Sequence, residues 1–148
     1  MSLTKEFVRD TQIVVDLNRL GENMRMNKDM VGEDVRTLAV VKANGYGHGA
    51  VGIAKTLMEN GADYLGVGAI YPTTTKVKTI LTSVDTLKDI CKAVSIPVNA
   101  IGGLNINNTD ILKGSGISGI CVVSAIMKAE NPEKAAEELK EKAESLIK

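Results

Sequence analysis

The sequence predicts an α/β fold with a parallel sheet: a half TIM barrel of four to five βα units, completed by C2 dimerisation. An open flavodoxin-like sheet is the alternative. Three observations lead there. Short runs rich in Val and Ile alternate with segments of helical periodicity. Two of the runs, "YLGVGAI" and "GICVVSAI", lack polar alternation, as strands buried on both faces do. The chain has 148 residues, enough for one domain but short of the roughly 200 that a complete eight-stranded barrel takes.

The elements follow in order. "QIVVDL" (Gln12 to Leu17) is a β-branched run and a less certain fifth strand. In "NRLGENMRMNKDMVG", Leu20, Met24, Met30 and Val31 roughly keep helical spacing, with Asn27 a weak spot on that face. "TLAVVKA" is the next strand, and "GAVGIAKTLMENG" is a helix closed by Gly61. "YLGVGAI" is a strand, and "SVDTLKDICKAV" a helix capped by Ser83 or Thr82. "IPVNAIGG" is a strand ending in a glycine pair, "NTDILKGSG" a short helix, and "GICVVSAI" a strand buried on both faces. "NPEKAAEELKEKAESLIK" is the last helix, with Asn131 as N-cap, Pro132 at its first position and an apolar stripe through Ala136, Leu139, Ala143 and Leu146.

Composition narrows the function. Lys+Arg and Asp+Glu both number 18, so neither a basic nucleic-acid face nor an acidic tail is expected. With no Trp and one Phe, the core must be aliphatic. No apolar run approaches the ~20 residues of a membrane span, and "MSLTKEFVRD" lacks the apolar region of a signal peptide. A cytoplasmic location is therefore expected. Cys91 and Cys121 lack metal-type or CxxC spacing and read as two buried thiols; no metal site is evident.

In parallel α/β folds, functional residues collect at the carboxyl ends of the strands. That gives four places: Lys42 to Gly49, Tyr71 to Lys76, Gly102 to Asn105, and Ser124 to Met127. Lys42 ends an apolar strand, where desolvation would free its amine as a nucleophile; a lysine whose head simply reaches solvent is equally consistent. Tyr46 and His48 follow in a glycine-rich turn. Asn99 interrupts an apolar strand; a polar barrel interior, a partner chain or an engineered change would each account for it.

The segment "AVVKANGYGHGA", with its flanks "TQIVVDLNRLGENM" and "VGIAKTLMENGADYL", resembles the pyridoxal-phosphate lysine region of bacterial alanine racemases. The resemblance implies that Lys42 bonds the cofactor aldehyde and that Tyr46 contacts its phosphate. It lacks that family's second acid/base tyrosine, since Tyr64 and Tyr71 do not match the position. Beyond Leu65, "GVGAIYPTTTK", "IPVNAIGGLN" and "GICVVSAI" resemble the thiamine-phosphate synthase family. That resemblance implies that Thr73 and Thr75 contact a thiazole part and Lys76 a pyrophosphate. It also implies that backbone amides at Gly102, Gly103, Val123 and Ser124 hold a phosphate, in keeping with small-residue turns that form anion nests. No Asp or Arg in residues 11–60 matches that family's metal- and pyrophosphate-binding groups.

Together the two resemblances imply a chimera of barrel fragments, racemase-like over about 1–65 and synthase-like over about 61–148. Such a chain would retain a phosphate site, and a pyridoxal-phosphate-reactive lysine could survive in it, without efficient catalysis. A weak racemase-like isomerase and a synthase-like transferase are the alternatives. The expected partners are a small phosphorylated molecule and a second copy of the chain.

Overall fold

The computed structural model describes residues 13–72 and 80–147. Four parallel strands, β1 (Leu38–Lys42), β2 (Tyr64–Gly68), β3 (Val98–Ile101) and β4 (Gly119–Cys121), pair in the order β1-β2-β3-β4. Around them run α1 (Leu17–Val31), a short turn α2 (Ala43–Tyr46), α3 (Ala50–Glu59), α4 (Val84–Ala93), another turn α5 (Ser124–Met127) and α6 (Pro132–Ile147). The strand order is sequential, with no point where it reverses. A doubly wound, flavodoxin-like sheet needs such a reversal, so that alternative is set aside. The order is that of a barrel wall, left open at β1 and β4.

The pleat sorts side chains onto two faces. Val41, Leu65, Val67, Val98 and Ala100 are buried in one aliphatic core with Ala54 and Leu57 of α3 and Leu87 and Ile90 of α4. On the other face, paired positions bring together Val40, Gly66 and Asn99 at one level and Lys42, Gly68, Ile101 and Cys121 at the next. The Leu38 side chain lies over Gly66, and the Asn99 amide lies over Gly119. Asn99 is thus half-buried on the face away from the helical core, beside mostly apolar neighbours.

Helix ends follow their caps. Asp16 accepts from the amides of Asn18 and Arg19 to start α1, Ser83 accepts from Thr86 N–H to start α4, and Asn131 accepts from Lys134 N–H to start α6. In α6, Leu139 and Leu146 are buried and Ala136 and Ala143 half-buried, as the stripe predicts.

Several expectations are corrected. Gln12 lies outside the described residues, but Ile13 to Asp16 form no strand, and Ile13 and Val14 are 81% and 86% exposed. A β-branched run needs a neighbour to pair with, and here Asp16 commits the chain to a helix instead. In α1 the buried residues are Gly21 and Met24, while Met30 and Val31 are exposed. Lys28 takes the inward position one turn after Met24 and reaches Asp63. "GICVVSAI" yields only three strand residues, all half-buried, because β4 is an edge strand and the chain turns at Val122. The short helix after Asn108 is a 3-10 turn, Thr109–Leu112.

At the amino ends of the strands, one carboxylate ties three elements. Asp63 Oδ2 accepts from Lys28 Nζ at 2.6 Å, Thr37 N at 2.6 Å and Thr37 Oγ1 at 3.0 Å. These donors, the Lys28 ammonium foremost and the Thr37 amide next, lower the Asp63 pKa from 3.8 to about 2. A depressed folded-state pKa means stabilisation that is fully present above pH ~4 and is lost as pH falls toward 2. Thermal melts should therefore show wild-type Tm falling between pH 4 and 2 by more than that of Asp63→Asn. Equal slopes would show that this carboxylate is not the acid-sensitive tie.

Candidate functional site

The carboxyl ends of the four strands form one rim, and it is built from backbone more than from side chains. After Gly68 the chain keeps pairing with the turn beyond β3. Ile70 N–H donates to Ile101 O at 3.1 Å and Tyr71 N–H to Gly102 O at 3.0 Å. Gly102 and Gly103 have φ of +100° and +66°, a region that residues with a Cβ rarely adopt. Asn108 locks the turn: its Nδ2 donates to Gly103 O at 2.9 Å, its Oδ1 accepts from Asn105 N–H at 2.8 Å, and its carbonyl accepts from Tyr71 Oη at 3.1 Å. Asn108 is the residue that sequence reasoning missed, and Tyr71, although inside a singled-out stretch, was not read as its partner. The signal was the "NNT" after the glycine pair, an Asx-type turn pattern.

The loop carrying Thr73, Thr75 and Lys76 lies outside the described residues, but both of its roots are placed. One is Tyr71–Pro72, packed on Gly103. The other is Thr82, whose amide donates to Ala69 O at 2.8 Å and whose hydroxyl donates to Gly68 O at 2.6 Å. Of the two caps considered for α4, Ser83 is therefore the cap and Thr82 the clamp on β2. Thr82→Val would leave the buried Gly68 carbonyl without its hydroxyl donor, an expected loss of about 1–2 kcal/mol. A lower urea midpoint at unchanged slope would show it, and an unchanged midpoint would exclude the clamp.

At the end of β4, Val123 is 70% exposed and Ser124 is exposed. The hydrogen bonds of α5 begin with Ile126 and Met127 N–H donating to Val123 O. The amides of Ser124 and Ala125 fall in the unpartnered first turn of that short segment.

Lys42 is half-buried at the end of β1, and the chain then turns left-handed. Ala43, Asn44, Gly45 and Tyr46 have φ of 51°, 52°, 65° and 57°. Non-glycine residues in this region each cost roughly 1–2 kcal/mol. Asn44 offsets part of this by accepting from Ala50 N–H at 3.0 Å, which starts α3. The turn leaves Tyr46 68% exposed and His48 exposed.

Within one chain, Lys42 and the Val123–Ser124 turn stand three strands apart, about 14 Å at ~4.8 Å per strand. One small cofactor cannot bond its aldehyde to Lys42 and rest its phosphate on that turn. A single chain therefore does not hold pyridoxal phosphate between Lys42 and that turn. Among the described residues, no group of three or more His, Cys, Asp or Glu could hold a metal ion, and no helix is long and apolar enough to cross a membrane. Cys91 and Cys121 are half-buried, short of the full burial expected of them, and that burial pushes both thiols up. Grooves on the helical side, between α1 and α3 and beside α4 at Lys88, Cys91 and Ser115, lie away from the rim.

A sequential parallel sheet with helices between its strands defines the class of TIM-barrel-like α/β folds. The chain belongs to the thiamine monophosphate synthase (TMP-TENI) family, whose model matches residues 26–126. That match spans Gly61–Gly66, where the two resemblances meet, and nothing in the comparisons shows a chimera. A thiamine-phosphate synthase from Clostridium tetani is 45% identical over 112 residues, covering 76% of this chain and 50% of that protein. The chain spans about half the length of the curated relatives it matches. A thiamine phosphate pyrophosphorylase from Pyrococcus furiosus has a similar structure, with TM-score 0.54 and 25% identity over 93% of this chain and 82% of that one. Alanine racemase from Bacillus anthracis, solved with bound L-Ala-P, also resembles it, with TM-score 0.59 and 27% identity over 78% of this chain and 26% of the racemase.

Proposed function

We propose that the chain binds the phosphorylated part of a thiamine-phosphate-type ligand at the carboxyl ends of β2, β3 and β4, as the half of a synthase-like transferase that holds the phosphate. The Gly102–Gly103 turn carries this reading. Two consecutive left-handed glycines, tied to the β2 extension and locked by Asn108, present backbone to the rim where any side chain would intrude. In this reading Gly102, Gly103, Val123 and Ser124 hold the phosphate through their amides. Thr73 and Thr75 contact the thiazole part and Lys76 the adjacent anion. The family match and the identity to thiamine-phosphate synthases support it. Residues 11–60 supply no counterpart to the pyrimidine-pyrophosphate groups of that family, so synthase turnover by this chain alone is expected to be little or none.

Calorimetric titration with thiamine phosphate and with inorganic phosphate tests the reading. Binding of both, weakened about tenfold by Lys76→Ala as expected for a lost charge-assisted contact, supports it. No heat with either ligand overturns it.

A second reading keeps the racemase-like first third, because Lys42 and the left-handed turn after it sit at the same rim and a racemase is among the structural neighbours. Here a fragment chimera would carry a pyridoxal-phosphate-reactive lysine with weak isomerase chemistry. An absorbance band on adding pyridoxal phosphate that persists in Lys42→Ala would exclude that lysine as the attachment point. Both readings include a second copy of the chain as partner.

A further inference from the structure

We propose that the groove between α4 and the turn entering β4 is a second anion site, one that takes a small divalent oxyanion of the phosphate type. The groove has a volume of about 420 Å³ and is lined by Lys88, Cys91, Lys92, Gly114, Ser115 and Gly116. It lies on the helical side, at the amino ends of the strands. It is therefore separate from the carboxyl rim and does not rest on the reading of that rim.

The charge of the groove carries the proposal. Lys88 and Lys92 are four residues apart on α4, which places them one turn apart on one face. Among the described residues four lysines are half-buried: Lys28, Lys42, Lys88 and Lys142. Lys28 and Lys142 are each answered by a carboxylate, from Asp63 at 2.6 Å and Asp110 at 2.5 Å. Lys42 stands at the carboxyl rim. Lys88 has no ion-pair partner among the described residues, and neither Asp85 nor Asp89 of its own helix pairs with it or with Lys92. Lys92 lies in the last turn of α4, where the helix dipole alone favours a cation. Lys88 lies before that turn, so its charge lines the groove unanswered. A partly desolvated ammonium without a counter-charge is a cost that a bound anion removes. Two ammonium groups also match the charge of a phosphate dianion.

The turn supplies the second half of the site. Gly114 and Gly116 have φ of +68° and +85°, left-handed positions on either side of Ser115. Successive amides in such turns form anion nests. Ser115 is 3% exposed and anchors the turn: its amide donates to Leu112 O at 3.0 Å and its hydroxyl to the same oxygen at 2.6 Å. The amides of Gly114 and Gly116 have no acceptor among the described residues. Gly116 also brings the turn close onto α4, since a Cβ there would lie 3.1 Å from Cys91 Cβ, whereas the space beside Gly114 is open.

Amide chemical shifts during titration with inorganic phosphate, at an ionic strength held constant with chloride, read the site directly. The groove is open and its lysines are screened. Occupancy is therefore expected at about millimolar phosphate, and titrations in the micromolar range leave the groove empty. The amides of Gly114, Ser115 and Gly116 should move together and saturate. Lys88→Gln and Lys92→Gln should each weaken this binding by about fivefold or more, with an unchanged far-ultraviolet circular dichroism spectrum. Lys88→Arg, which keeps the charge, should retain most of it. Lys140→Gln, at an exposed position on α6 outside the groove, should change nothing. Shifts confined to Gly102 and Gly103 overturn the proposal. So do shifts that never saturate, shifts reproduced by chloride alone, or equal weakening by Lys140→Gln. A saturating response at Gly114, Ser115 and Gly116 with none at Gly102 and Gly103 confirms this site and overturns only the rim reading.

Discussion

Gly68→Ala is expected to destabilise the protein by about 3 kcal/mol or more, while Gly66→Ala, two residues earlier in the same strand, is expected to be tolerated. Both glycines lie on the inner face of β2, but they meet different neighbours. A Cβ on Gly68 would sit on the backbone carbonyl oxygen of Ile101, which accepts from Ile70 N–H and cannot swing away as a side chain would. The strand must separate from β3 or give up the pairing that leads into the Gly102 turn. A Cβ on Gly66 would meet only Leu38, at 3.6 Å, an ordinary contact with a flexible side chain. Thermal melts should show a loss of about 10 °C for Gly68→Ala and a change of at most a few degrees for Gly66→Ala. Equal effects would mean that the β2–β3 approach is not the constraint.

Gly103→Ala should both lower stability, by about 2–3 kcal/mol, and abolish phosphate binding. Two independent penalties combine at this position. Its φ of +66° disfavours any Cβ, and the added carbon would lie 2.7 Å from Pro72 O and 2.7 Å from Tyr71 Cβ. Relief requires the Tyr71–Pro72 segment to lift off the turn, which moves the root of the threonine loop and the rim amides together. Asn108→Ala is a milder companion. It frees Gly103 O and Asn105 N–H without a clash, and should weaken binding with a stability loss of about 1–2 kcal/mol. Denaturant titration and phosphate calorimetry on the same samples separate the two effects. Phosphate bound normally by a destabilised Gly103→Ala would remove the turn from the site.

Much of the architecture was legible in the chain. Four Val- and Ile-rich runs, each followed by a turn and most by an amphipathic segment, specify parallel βα units, and the caps at Ser83 and Asn131 mark helix starts. What failed to read correctly did so for physical reasons. Ile13 to Val15 look like a strand because β-propensity reports a surface ready to pair, not the presence of a neighbour. β4 was expected to be buried on both faces because an apolar run does not reveal that its outer edge is bare. Lys28 was invisible as an inward residue, because a lysine on a helix face reads as solvated until Asp63 supplies its partner.

At the site, the glycine pair and the lysine at the end of β1 were recognisable from residue type and position. The Tyr71–Asn108 lock was not, since its hydrogen bond joins residues 37 apart in sequence. Nor could the left-handed turn at Ala43 to Tyr46 be read, because alanine and tyrosine do not announce a positive φ as glycine does.

Residue-resolved amide chemical shifts during titration with thiamine phosphate test the central claim most directly. The account predicts that the amides of Gly102, Gly103, Val123 and Ser124 move together and saturate, with the amides around Asp63 at the opposite end of the strands unchanged. Shifts confined to the amino ends of the strands or to the helical grooves, or none at saturating ligand, would contradict it.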